Sequence, residues 1–248
     1  MHMQVEKTQE LDKADFIGGE MLLIDKPLTW TSFDVVGKVR NALKPLKLKV
    51  GHAGTLDPLA TGLLIVCTGK RTKTIDQLQA EEKEYTGTLI LGATTPSFDL
   101  ETDIDLRYPT SHITTALLET ITQNFVGKIT QYPPDHSAIK IDGERSYEKA
   151  RRGEKIEKKA REVEIKEFEL THIQLPEVQF KVICSKGTYI RSLVHDFGQA
   201  LGSGAYLSSL RRTRSGQHTI SEAWSLPELI EAIHKQKPRF QAILQNQK

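Results

Sequence analysis

Two spacings of apolar residues alternate along this 248-residue chain, one near the helical period and one with period two. Phe33, Val36 and Leu43 recur at helical spacing behind Thr31 or Ser32, either of which can cap, and predict a core-facing helix. Ile113, Leu117, Ile121 and Phe125 predict a second helix that ends at Gly127. Period-two runs predict central strands where Leu89 and Leu91 oppose Thr88 and Ile90, and where Val178, Phe180, Val182 and Cys184 oppose Gln179, Lys181 and Ile183. In residues 161–170 the apolar set runs Val163, Ile165, then Phe168, Leu170, and that slip of one residue predicts a β-bulge. Near the end, Ser225 and Glu228 have the spacing of a capping box before a short helix bearing Leu229, Ile230 and Ile233. With no fixed-period repeat and no low-complexity tract, the pattern predicts an α+β protein with a mixed, largely antiparallel sheet flanked by helices and loops.

Composition narrows the class. A chain that is 38% hydrophobic and 27% charged suits one large domain, or one domain with a small appendage. Cys67 and Cys184 sit inside apolar strand-like runs, so they read as buried reduced thiols of a cytoplasmic protein. The N-terminal stretch lacks the apolar core of a signal peptide, and no apolar run approaches the roughly 18 residues of a membrane span. The formal charge of +2 does not by itself call for nucleic acid, but its distribution does. From Lys140 to Arg161 nine basic residues face five acidic ones, and Arg211, Arg212 and Arg214 cluster after the turn at Gly202 and Gly204. Solvated faces carry such charge too, yet both patches suit a polyanion.

The chemistry centres on residues 51–62, GHAGTLDPLATG. Gly51, Gly54 and Gly62 open backbone conformations closed to other residues, Pro58 fixes its own φ, and Leu56 favours burial while its neighbour Asp57 does not. The apolar run Leu63–Val66 follows directly, so Asp57 is a carboxylate held on a stiff loop at the edge of a core. The loop lacks the P-loop and dinucleotide glycine patterns. No second His or Cys lies at ligand spacing around His52 and Asp57, whereas catalytic zinc takes about three protein ligands, so neither a metal nor a nucleotide cofactor is expected. A turn whose Asp bonds its own backbone is the bland alternative. Farther along, Tyr85 opens the strand KEYTGTLILG, and CSKGTYIRSLVHDFG places Arg191 on the first turn of a helix. A cation there opposes the helix dipole and calls for a nearby anion.

The loop resembles the signature of the TruB family, the bacterial tRNA pseudouridine-55 synthases, written G-H-x-G-x-L-D-P-x-A-x-G. The resemblance extends from Lys26 and Pro27, matching D-K-P, through residues 131–155, QYPPDHSAIKIDGERSYEKARRGEK, and G-T-Y-I-R at 187–191, to LSSLRRTRSG near residue 216. It implies the pseudouridine synthase fold, and isomerisation of uridine 55 in the T-loop of tRNA without a cofactor. Asp57 is then the catalytic residue, Arg191 its ion-pair partner, and Tyr85 the residue stacking on the base, with its hydroxyl a candidate proton shuttle. His52 fills the gap left by the flipped uridine, while Lys26, Ser137, Lys140, Tyr189, Leu210 and Arg211 serve the substrate. The resemblance further implies a catalytic domain over 1–216 with an RNA-gripping insertion at about 131–160, and a helical tail over 217–248 too short for a PUA domain. The expected partner is the tRNA T stem-loop, met by a monomer needing no protein partner and no membrane. Residues 94–103, TTPSFDLETD, depart from the family's T-x-T-x-D-x-x-G segment. A tRNA-binding or folding module, and a relative acting on rRNA or a guided target, are the rival readings.

Overall fold

The computed structural model describes residues 11, 14–134, 140–141, 144–145, 152 and 159–245. The chain forms two compact units, one from residues 1–83 with 211–248 and one from residues 84–210.

In the first unit the strand Met21–Lys26 pairs antiparallel with Ala60–Thr68 and parallel with Trp224–Ser225, and Val50–Ala53 pairs antiparallel with Ala60–Thr68. The run Leu63–Val66 is completely buried, the environment its unbroken apolar sequence calls for. Helix Ser32–Ala42 starts at a Thr31 capping box with Asp34 and buries Val35, Val36 and Val39. Leu43, its C-cap, is buried too, but Phe33 is 66% exposed, contrary to the spacing argument. The buried stripe runs Val35–Val36–Val39, and one residue along a helix turns the side chain by about 100°, which puts Phe33 outside it. Helix Leu226–Lys235, capped by Ser225, places Leu229, Ile230 and Ile233 in the same core as Leu64 and Val66, as expected. Glu228 reaches back to the Ser225 hydroxyl at 2.7 Å.

In the second unit Glu177–Cys184 pairs antiparallel with Arg161–Gln174, which pairs antiparallel with Gly127–Gln131. The expected period-two strands are present, with Leu89, Leu91, Val178, Phe180, Val182 and Cys184 all buried. The register slips between Ile165 and Glu167, where the sequence calls for a bulge. The second helix is shorter than its spacing suggests. It runs Thr115–Gln123 and buries Leu118 and Thr122, while Gly127 instead opens the following strand at φ +100°. Ile113 lies ahead of it and Phe125 beyond it, where Phe125 packs edge-on against Phe197. Each unit thus combines helices with a largely antiparallel set of strands, and the fold is α+β. Neither Cys67 nor Cys184 is in a disulfide, and both are buried. Among the described residues no helix is long and apolar enough to cross a membrane.

Candidate active site

Asp57 sits between the strands Val50–Ala53 and Ala60–Thr68, on a loop whose backbone is anchored from several sides. Gly54 takes φ +91°, a left-handed conformation that lets the chain leave the first strand sharply. Ala60 N–H donates to Asp57 C=O at 3.0 Å, closing a turn with Pro58 at its second position, where a fixed φ near −65° is already suitable. Buried Ser32 at the helix start accepts from Leu56 N–H at 2.8 Å and donates to Leu56 C=O at 3.2 Å. Thr29 N–H donates to Pro58 C=O at 2.8 Å. Leu56 is buried, as expected, and Asp57 is half-buried. The result is an acid whose backbone is fixed and which is only partly buried.

Two buried cations support this loop. Lys26 has no exposed surface, and its ammonium donates to the carbonyls of Pro27 at 2.9 Å, Trp30, and Pro58 at 3.4 Å. Burial pulls its pKa from 10.5 to about 8, with the Asp57 charge acting against that fall and Arg212 adding to it. Lys26 therefore lies beneath the loop with its three donors committed to backbone carbonyls. Arg212, 1% exposed, donates from Nε to Leu63 C=O at 2.7 Å and from Nη2 to Gly54 C=O at 3.1 Å. Its neighbour Arg211 points the other way, in a bidentate pair with Asp25 at 3.0 and 2.7 Å. Burial and the nearby Arg212 push the His52 imidazole below its ordinary 6.5, so the ring is neutral at pH 7.

In the second unit Arg191 stands on the first turn of helix Ile190–Ala200, 3% exposed. Within that unit its anion is Asp99, with Nε 3.5 Å from Oδ2, and Nη1 donates to Ser97 C=O at 3.2 Å. Asp99 is itself buried, its C=O accepting from Thr95 and Ser97 hydroxyls at 2.7 and 3.2 Å. The departing segment 94–103 therefore supplies a buried ion-pair partner, a role its sequence did not disclose. Tyr189 caps the helix, exchanges backbone hydrogen bonds with the Gln131 side chain at 3.0 and 3.2 Å, and lies under the Arg161 guanidinium. Tyr85 is buried in the strand Lys83–Leu91, and Leu210 is half-buried in Ala205–Ser215. Lys140 lies in a two-residue strand paired with Glu144–Arg145. Ser137 and much of the basic run after Tyr147 lie outside the described residues.

A carboxylate so presented is equipped to act as a nucleophile or base without first reorganising its loop. The arrangement of strands and helices is shared with solved structures of RNA-binding assemblies. The structure of a Cbf5–Nop10–Gar1 complex matches 90% of this chain with a TM-score of 0.69 at 31% identity, and this chain spans 56% of that one. An H/ACA ribonucleoprotein bound to a substrate RNA containing 2′-deoxyuridine matches 92% with a TM-score of 0.67 at 28% identity, over 58% of that chain. The TruB family pseudouridylate synthase N-terminal domain matches residues 40–190, and the tRNA pseudouridylate synthase B C-terminal domain matches residues 191–246. The tRNA pseudouridine synthase B of Flavobacterium johnsoniae is 56% identical over 224 residues, covering 88% of this chain and 98% of that protein. That of Parabacteroides distasonis is 56% identical over 226 residues, covering 90% and 96%. The chain belongs to the TruB pseudouridylate synthase family and is an isomerase.

Proposed function

We propose that the protein converts uridine 55 in the T-loop of tRNA to pseudouridine, with Asp57 as the catalytic residue. The observation that supports this most is the anchoring of the Asp57 loop, since the carbonyls of Gly54, Leu56, Asp57 and Pro58 each take a donor. The reading also rests on relatives named tRNA pseudouridine synthase B that match over nearly their whole length. The reaction breaks the N1–C1′ bond, turns the uracil, and joins C5 to C1′, while the proton leaving C5 is balanced by one gained at N1. No electron is gained or lost overall, so no redox cofactor is required.

A uridine within a folded T-loop has to leave its stack to reach a carboxylate. Neutral His52 takes the vacated place, and Tyr85 stacks on the extruded base. Asp57 acts on the base or the sugar, by adding to C6 or C1′ or by removing a ribose proton, and each route uses an ionised acid of fixed orientation. Arg191 serves the same chemistry, while Lys26 holds the loop. Tyr189, Leu210, Arg211, Ser137 and Lys140 contribute to the RNA-facing surface. The basic residues between 140 and 161 give affinity through the phosphate backbone, and selectivity comes from the shape of the loop and its unstacked bases.

The test is pseudouridine formation in an unmodified tRNA transcript by wild type and Asp57→Asn, mapped by carbodiimide modification and primer extension. Product at position 55 with wild type alone is expected. Product at another position, or equal product from Asp57→Asn, overturns the assignment.

A further inference from the structure

Outside the groups used above, the first unit carries a concentration of like charge along one stretch of sequence. From Lys38 to Lys49 there are five basic residues, Lys38, Arg40, Lys44, Lys47 and Lys49, and no Asp or Glu. All five are exposed. They account for the sign of the chain's net charge, because without them its 32 acids would outnumber its bases. Solvated helix faces usually interleave both signs, and this strip does not.

Its placement is as informative as its charge. The strip begins on helix Ser32–Ala42 and continues through the short turn of helix Lys44–Leu46 to the start of strand Val50–Ala53. That strand runs directly into the Asp57 loop, and Ser32 at the other end of the strip is hydrogen-bonded to Leu56. Phe33, 66% exposed, stands at the helix start with the Arg40 guanidinium 6.0 Å from its ring centroid. Gly37 lies between those two residues on the helix, where an added Cβ would meet nothing within 4 Å. The one acid of the stretch, Asp34, is engaged with the Thr31 cap, and an aromatic face beside a run of cations is the composition of a nucleic-acid track, in which cations hold phosphates and the ring supports a base or ribose. Arg40 also complements the helix C-terminus, but that accounts for one charge of the five.

We infer that the Phe33–Lys49 strip is a backbone-binding track for the RNA that presents its uridine to Asp57, separate from the basic residues between 140 and 161. The inference rests on the proposed RNA substrate and adds a second grip on it. Its ligand is the ribose-phosphate chain, so it contributes affinity and orientation with little base preference.

The test is filter binding of an unmodified full-length tRNA transcript over a range of KCl concentrations. Wild type is compared with the triple variant Lys44→Gln, Lys47→Gln, Lys49→Gln, and with a control triple at exposed lysines of the same unit, Lys73→Gln, Lys235→Gln, Lys237→Gln. Each lost phosphate contact lowers the slope of log affinity against log salt by about one. The strip triple is expected to lower it by about two to three and to weaken binding at least about tenfold near 0.15 M salt, with the control changing the slope by less than about one. Equal losses in both triples, or an unchanged slope in the strip triple, overturn the inference. The two readings fail separately. Wild-type turnover with unaltered binding by the strip triple removes the track alone, whereas strip-dependent binding without pseudouridine removes the proposed activity alone.

Discussion

Replacing Gly62 with Ala tests how the Asp57 loop is held. Gly62 sits at φ +101°, paired in register with Lys26, and a Cβ there would lie 2.3 Å from Arg212 O, 2.7 Å from its N and 3.0 Å from its C. All three contacts are backbone, so no rotamer change relieves them. The left-handed conformation costs a β-carbon about 1–2 kcal/mol, and overpacking adds about 1–3 kcal/mol. A total loss of about 2–5 kcal/mol corresponds, at about 2–4 °C per kcal/mol in a chain of this size, to a fall in Tm of about 4–20 °C. The displaced strands are those that carry Lys26 and Arg212, which bind the carbonyls of Pro58 and Gly54. A shift of about 1 Å at Asp57 is enough to slow turnover about a hundredfold. Thermal unfolding gives the first quantity, and single-turnover pseudouridine formation well below the variant's Tm gives the second. Gly37→Ala, made in open space within a helix, is the control and is expected to gain about 0.5–1 kcal/mol. A Gly62→Ala protein within about 0.5 kcal/mol of wild type, turning over at the wild-type rate, would refute the argument.

Two further outcomes follow from the buried charges. Because Lys26 releases its proton at about pH 8 in the folded chain and at about 10.5 otherwise, the unfolded chain binds more protons between those values. This group's contribution to stability therefore rises with pH from about 8 to 10.5, while in the folded protein Asp57 loses a neighbouring cation as pH passes about 8, and turnover declines there. Denaturant titrations and a pH–rate profile measure the two, and a Lys26→Arg protein with the same alkaline limb would count against Lys26 as its source. Arg191→Ala leaves buried Asp99 without its cation in that unit and is expected to cost about 3–5 kcal/mol in urea unfolding, with a loss of turnover. Wild-type stability and turnover in that variant would remove the pair from the site.

What could be read from the chain alone was whatever depends on neighbours in sequence. The alternation at 178–184, the bulge between Ile165 and Glu167, and the caps at Thr31 and Ser225 are local consequences of residue type and spacing, and they stand where the pattern puts them. The Asp57 loop was legible for a similar reason, since its glycines, proline and buried leucine are contiguous. Tertiary structure decided which side chains support that loop. Arg211 and Arg212 are adjacent and chemically alike, but a strand turns successive side chains to opposite faces. One therefore pairs with Asp25 near the surface while the other is buried against Gly54 and Leu63. Phe33 illustrates the same limit on a helix, where a shift of one residue separates the core from solvent. Asp99 meets Arg191 across 92 positions of sequence, a pairing fixed by the packing of two distant segments. Local spacing sets periodicity and presents the acid, whereas a buried ion's partner is chosen by whichever distant groups the folded chain brings within reach as water is excluded.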